Sequence, residues 1–223
     1  MCGRYSLKSD PKKISSEFDL PEKEAQKIKP RYNIAPSQPV AALIREQTAK
    51  LEFLNWGLVP SWSKEPSIGA RMINARQETL AEKPSFRGLL KSRRCLILAD
   101  GFYEWKSLGK RKQPYYIRLK SQEPFSFAGL WSEWVSPDGS KIWSCTIITT
   151  QPNELMQEIH NRMPVILSRK AREAWLDPSN SQKEELLDLL KPYSAEEMEA
   201  FPVSTFVNSP ANDAADCLKP VNS

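Results

Sequence analysis

Residues 94–150 read RCLILADGFYEWKSLGKRKQPYYIRLKSQEPFSFAGLWSEWVSPDGSKIWSCTIITT. Within this stretch CLILA (95–99), YYIRL (115–119), FSFAGLW (125–131) and IWSCTIIT (142–149) concentrate β-branched, aromatic and aliphatic residues between breakers, which is the pattern of strands. Ser136-Pro137-Asp138-Gly139 carries turn chemistry, so FSFAGLW and IWSCTIIT should form a hairpin. Gly109 marks the loop of a second hairpin between GFYEW (101–105) and YYIRL.

Working outward, VAALI (40–44), LEFLNW (51–56) and VSTFV (203–207) add strands of the same kind. Helix signals are fewer and cluster late. Ser9 is placed to cap a short helix over Pro11–Phe18, and Ser168 to cap RKAREAWL. NELMQEIH (153–160) sets Leu155, Met156 and Ile159 on one helical face. Ser181-Gln-Lys-Glu184 and Ser194-Ala-Glu-Glu197 match the capping box, within or beside a polar, peripheral segment at 177–195. The Pro-, Ser- and Trp-rich run at 60–69 reads as a loop. The expected fold is α+β: one domain over residues 1–223, with a mostly antiparallel or mixed, barrel-like sheet core and helices at its edges.

Composition bounds the function. The 223 residues are 40% hydrophobic and 26% charged, ordinary globular values with material for a substantial core. A net charge of +5 is a mild excess, but Arg71, Arg76, Arg87, Arg93 and Arg94 lie in one stretch and Arg162, Arg169 and Arg172 in another. Clustered arginines suit a phosphate-binding face; a merely solvated surface reads the same way. Cys2, Cys95, Cys145 and Cys217 form no CxxC pair, and one histidine gives no zinc pattern, so neither a metal nor an organic cofactor is expected. Cys95 and Cys145 sit in apolar runs and read as buried thiols. The N-terminus lacks a signal-peptide core, and no run reaches the ~18 apolar residues of a membrane span. These features place the chain in a reducing, cytoplasmic setting, away from membranes.

Cys2 offers chemistry that no other position does. Removal of Met1, which a small second residue favours, would leave a 1,2-aminothiol. An α-amine with a reference pKa of about 7.7–8.0 is partly unprotonated near neutrality and attacks aldehydes to give a Schiff base. The neighbouring thiol can close onto the imine carbon as a thiazolidine, an intramolecular step. Gly3 lets a bulky partner approach, and Arg4 could hold a phosphate bidentately. His160, the only histidine, can shuttle protons, although a helix-terminal histidine needs no such role. Glu104, between Tyr103 and Trp105, is a candidate general acid if the aromatics desolvate it; alternation equally allows a solvent-facing carboxylate. Asn74 can donate and accept hydrogen bonds, or simply sit in a turn.

Met1-Cys2-Gly3-Arg4, Tyr32-Asn33-Ile34-Ala35-Pro36, Trp56-Gly57-Leu58-Val59-Pro60 with Trp62, Asn74-Ala75-Arg76-Gln77-Glu78-Thr79, Gly101-Phe102-Tyr103-Glu104-Trp105, Ala128-Gly129-Leu130-Trp131 and His160-Asn161-Arg162-Met163-Pro164-Val165 follow one another in order. Together they resemble the SOS response-associated peptidase (SRAP) family, in its compact bacterial form, over nearly the whole chain. The resemblance implies a β-rich fold with a barrel-like core, self-removal of Met1, and covalent attachment of Cys2 to the ring-opened aldehyde of abasic sites in single-stranded DNA. It implies that Cys2 is the nucleophile, that Asn74 orients the N-terminus and sugar, and that Glu104 and His160 transfer protons. Arg4, Arg76 and Arg162 fall where the family binds DNA backbone, and Trp62 and Trp105 could stack on neighbouring bases. The expected partner is single-stranded DNA, the expected state a nucleoid-associated monomer. Two other readings use the same residues: a thiol peptidase built on Cys2, His160 and Glu104, and a non-covalent reader of modified bases built on Trp62 and Trp105.

Overall fold

All but one of the strands expected from the sequence form, in two sheets, and the chain passes from one sheet to the other at Asp100. In the computed structural model, which describes residues 2–45 and 47–221, the strands are β1 (Arg4–Leu7), β2 (Arg31–Ile34), β3 (Pro39–Arg45), β4 (Ala49–Trp56), β5 (Asn74–Arg76), β6 (Arg94–Ala99), β7 (Gly101–Leu108), β8 (Arg111–Leu119), β9 (Phe125–Val135), β10 (Lys141–Thr150), β11 (Met163–Pro164), β12 (Ile166–Leu167) and β13 (Met198–Pro202). The helices are α1 (Pro11–Phe18), α2 (Glu22–Ala25), α3 (Pro84–Ser92), α4 (Glu154–Gln157), α5 (Arg169–Leu176) and α6 (Lys183–Asp188).

β10, β4, β3, β6 and β9 close on themselves. Each pairs antiparallel with the next except β4 and β10, whose short parallel pairing, Asn55 with Ser144 and Trp56 with Cys145, seals the ring. This is the α+β fold with a mixed barrel that the strand pattern implies. A second, wholly antiparallel sheet, β13-β8-β7-β1-β2, lies against it. Tyr5 of β1 sets its ring edge-on to Trp56 and Phe127 of the barrel, and Phe102 of β7 does so to Phe127, with centroids 5.4–6.1 Å apart. Aromatic pairs at this geometry contribute beyond the area they bury. The crossing itself is fastened by Asp100, whose carboxylate accepts from the amides of Lys8 and Ser9 and from Ser9 Oγ.

Several local expectations need correcting. The cap of α1 is Asp10, not Ser9, because Ser9 is engaged by Asp100. Ser168 does cap α5. Neither capping box forms: α6 starts after Gln182, and Ser194 precedes a single 3-10 turn with no side-chain cap. α4 ends at Gln157, so His160 lies beyond the helix rather than on it. VSTFV is not a strand. Pro202 ends β13, Ser204 Oγ accepts from Phe206 N, and a 3-10 turn follows over Thr205–Asn208. Helix α3, strands β1 and β2, and the short β5 come in addition. The segment 177–195 is polar outside, yet Leu186 and Leu190 are fully buried.

The arginine clusters also divide. Arg94 is buried, and its guanidinium donates to the carbonyls of Leu90, Lys91, Trp175, Asp177 and Asn180, tying the ends of α3 and α5 to β6. Arg172 is buried against Phe18 and paired with Glu17 at 2.7 Å. Neither serves an external phosphate face, because burying an arginine requires satisfying its donors internally.

Gly129 marks a close approach of barrel strands. It lies on β9 between Cys95 of β6 and Ile147 of β10, where a Cβ would stand 2.8 Å from Cys95 Sγ and 2.9 Å from Ile97 Cδ1. Gly129→Ala should therefore destabilise the protein by about 1–3 kcal/mol, the usual scale of overpacking. At this chain length that lowers Tm by several degrees. A thermal melt by circular dichroism checks it, and an unchanged Tm would contradict this packing.

Candidate functional site

The N-terminus is built into the second sheet rather than left loose. β1 pairs antiparallel with β7, Arg4 with Tyr103 and Tyr5 with Phe102. That register carries the residues before Arg4 alongside Glu104 and the chain beyond it. Cys2 is fully buried. Its carbonyl accepts a hydrogen bond from Asn74 Nδ2 at 2.8 Å. Asn74 is delivered by β5, which runs parallel to β10, with Asn74 opposite Ile147, and is braced by Trp56 Nε1 donating to the carbonyl of Ile73 at 2.9 Å. Asn74 Oδ1 is buried, and among the described residues nothing donates to it, so an acceptor stands unused on the side chain that holds Cys2.

Glu104 is buried, which resolves its alternation in favour of the inward face. Burial pushes the Cys2 thiol well above the ordinary thiol range, and the negative charge of Glu104 adds to the rise. The thiol is therefore protonated at neutral pH. The two groups sense each other, so Cys2, Asn74 and Glu104 form one constellation. Tyr5 joins it unannounced by the sequence: its phenol is fully buried, has no hydrogen-bond partner among the described residues, and is pushed up by burial and by the charges of Cys145 and Cys2.

His160 approaches from the other edge of β10, where Thr149 pairs with Arg76 of β5 on one side and with Pro164 of β11 on the other. Its Nδ1 lies 3.1 Å from the Arg162 amide nitrogen and 3.3 Å from the Arg162 carbonyl oxygen. Lys106, two residues beyond Glu104 on the same face of β7, pairs with Glu158 at 3.9 Å, joining the His160 loop to that strand.

The residues singled out for DNA behave differently from one another. Arg4 donates to Asn33 Oδ1 at 2.9 Å and to the carbonyls of Val207 and Asn208 at 2.8 and 3.1 Å. Arg162 forms a forked pair with Glu78, at 2.6 and 3.0 Å, and donates to the carbonyl of Thr149. Trp105 is half-buried, with Nε1 on Asn208 Oδ1 at 2.8 Å. Arg76 and Trp62 are exposed.

Arg4 and Trp105 thus meet a C-terminal strap that the sequence reading passed over. Asn33 is fully buried and donates to the carbonyls of Val207, Ser209 and Asn212. Asp213 accepts from the amides of Tyr32 and Asn33 and from Arg31 Nε. Burial opposes its charge, yet these donors hold its carboxyl below the ordinary carboxylate range. The Asn-, Ser-, Pro- and Asp-rich run at 208–213 was the available signal, since such residues bond to backbone in preference to building helix or strand.

Arg162 and Arg76 give a direct contrast. Arg162→Ala should lower Tm by breaking a partly buried pair, whereas Arg76→Ala should leave it unchanged. Glu78 is held below the ordinary carboxylate range, first by its bond from Arg162, so the pair stabilises the fold above that range and the contribution is lost as pH falls through the lowered value. The Tm gap between wild type and Arg162→Ala should accordingly narrow in acid. A constant gap across the titration would mean that the pair contributes nothing.

Comparison with known proteins identifies the family. Residues 1–210 match the family described as SOS response associated peptidase (SRAP). The chain is 49% identical to the abasic site processing protein YoqW of Bacillus subtilis (strain 168), covering 98% of this chain and 99% of that one. It is 36% identical to the abasic site processing protein HMCES of Gallus gallus, over 87% of this chain and 67% of that one. A crystal structure of a protein from Bacteroides thetaiotaomicron superposes with a TM-score of 0.88 at 30% identity, covering 99% of this chain and all of the other. A match over nearly the whole length, together with relatives this similar, means that the chain belongs to the SOS response associated peptidase family.

Proposed function

We propose that this protein processes abasic sites in single-stranded DNA by bonding to them covalently through Cys2, once Met1 has been removed. The observation that carries the proposal is the grip of Asn74 on the Cys2 carbonyl at 2.8 Å, with the Glu104 carboxylate close enough to raise the thiol. An N-terminal aminothiol is thereby held still beside an acid–base group. The relatives named as abasic site processing proteins support the choice of substrate.

The steps balance without any metal or organic cofactor. The sugar hemiacetal opens to its aldehyde. The Cys2 amine adds to the aldehyde carbon, and the carbinolamine loses water to give the imine. Cys2 Sγ then adds to the imine carbon while its proton passes to nitrogen, which closes the thiazolidine. Asn74 Oδ1 accepts from the amine and aims its lone pair. Glu104 takes up the proton released as the amine adds and returns it to the departing water, and His160 relays protons for ring opening. A protonated thiol favours this order, amine first and sulfur second. It weighs against a general thiol peptidase, whose nucleophile needs a lowered thiol pKa. Acting on DNA implies association with the nucleoid.

Intact mass after incubation with single-stranded DNA holding one abasic site tests the proposal; the expected product is protein plus DNA minus one water. Cys2→Ala should form no adduct that resists heat and detergent, while Cys2→Ser should still give an imine that borohydride traps. A residue retained before Cys2 should block the reaction, because an amide nitrogen cannot form the imine. Wild-type adduct formation by protein shown to retain Met1 would falsify the chemistry.

The proton roles are tested separately. Glu104→Gln and His160→Ala should each slow adduct formation or reversal by about 10²-fold, the lower end of the range for general acid–base groups. Both should leave DNA affinity nearly unchanged. Wild-type rates in both variants would remove these residues from the mechanism.

A further inference from the structure

The cations carried by the motifs are largely engaged inside the fold: Arg4 by the strap, Arg162 by Glu78 and Thr149. Cations of another kind gather where α3 meets α6. Arg87 and Lys91 lie one helical turn apart on α3, and Lys183 opens α6. They rim a hollow of about 350 Å³ floored by Ala81, Leu90 and Leu186, with no acidic side chain lining it. All three are exposed, and among the described residues none of them makes an ion pair or a side-chain hydrogen bond. Gly88, between Arg87 and Lys91, leaves open space where a side chain would stand.

One side chain ties α6 to the strand that carries Asn74 and Arg76. Gln77 directly follows Arg76; its Oε1 accepts from Thr150 Oγ1 at 2.6 Å, and its Nε2 reaches the Leu187 carbonyl on α6 at 3.3 Å. Gln77 thus links Arg76 to α6, whose Leu186 lines the hollow. A row of unpaired cations suits a chain that bears a negative charge on every unit, since each neutralised phosphate releases a counterion. Three cations and one hydroxyl, Ser181, over an aliphatic floor favour phosphate contacts, which position a strand, over base contacts, which specify it.

We infer that the Arg87–Lys91–Lys183 hollow is a second contact for the same DNA strand, holding phosphates that flank the reacting site. The inference rests on the single-stranded DNA reading above, but not on covalent chemistry. The test uses full-length protein and a fluorescein-labelled oligothymidylate without a lesion, titrated at several salt concentrations. With Arg87, Lys91 and Lys183 all changed to Ala, the slope of log affinity against log salt should become shallower by about 2, since each single-strand phosphate contributes about 0.7. Arg87→Lys, which keeps the charge, should retain the wild-type slope. At saturating abasic DNA the triple variant should crosslink at the wild-type rate, and its Tm should be unchanged. An unchanged slope in the triple variant overturns the inference and leaves the hollow to an acidic polypeptide; absence of salt-dependent binding by wild type overturns it too. A wild type that binds oligothymidylate but never forms an abasic adduct would instead sink the covalent proposal and leave the hollow standing.

Discussion

The pairing of β1 with β7 is the constraint on which the site depends. Chain termini fray unless something ties them down, and a frayed Cys2 would have no fixed neighbour. Here the register of Arg4 with Tyr103 and Tyr5 with Phe102 makes the terminus part of a five-stranded sheet. Tyr5 then locks that sheet against the barrel through Trp56 and Phe127. The same register sets Glu104 beside the residues before Arg4, so Cys2 and Glu104 are held by one set of backbone hydrogen bonds. Loss of this pairing would cost position before it cost fold, because the barrel closes through its own five strands.

A second constraint comes from outside the sheet. Asn33, Arg4, Trp105 and Asp213 are distant in sequence, and all four engage the strap or hold it down. Asn33 fills its whole amide: two N–H groups serve three carbonyls, and its oxygen takes Arg4. A buried polar group satisfied in this way fixes a single arrangement, because any slip would leave donors unpaired in the interior. The strap thereby holds Arg4 two residues from Cys2. This makes Arg4 a structural neighbour of Cys2.

Much of this was legible beforehand, and the failures have physical causes. Strands at 95–99, 125–131 and 142–149 were readable because barrel strands buried on both sides make apolar runs, and 115–119 in the second sheet because of its aromatic and β-branched residues. Which strands close the ring was not, since the β4–β10 seal rests on two residue pairs far apart in sequence. Cys2, Asn74 and Glu104 could be singled out by their chemistry and their motifs, but the bond from Asn74 to the Cys2 carbonyl is a tertiary fact. The arginines misled because charge in a sequence carries no sign of burial. Arg94 sits in the same basic stretch as Arg87, yet one caps helix ends from inside while the other stands in solvent. The capping boxes at 181–184 and 194–197 failed for a similar reason, since local pattern offers a bond that the tertiary fold need not use.

Under the proposed function, the burial of Cys2 bears on how an aminothiol would be kept for one purpose. A low-pKa, accessible thiolate is open to oxidation and disulfide exchange. Burial beside a carboxylate raises the thiol and keeps it protonated, so it does little until an electrophile is already attached one atom away. In the proposed sequence the amine makes that attachment, and the imine carbon then meets the sulfur within a five-membered ring, where proximity replaces intrinsic nucleophilicity. A thiol tuned down in this way would be a poor catalyst for substrates that arrive free in solution. It is suited to an aldehyde that the adjacent amine has already captured, and this restriction supplies selectivity without any contact to a base.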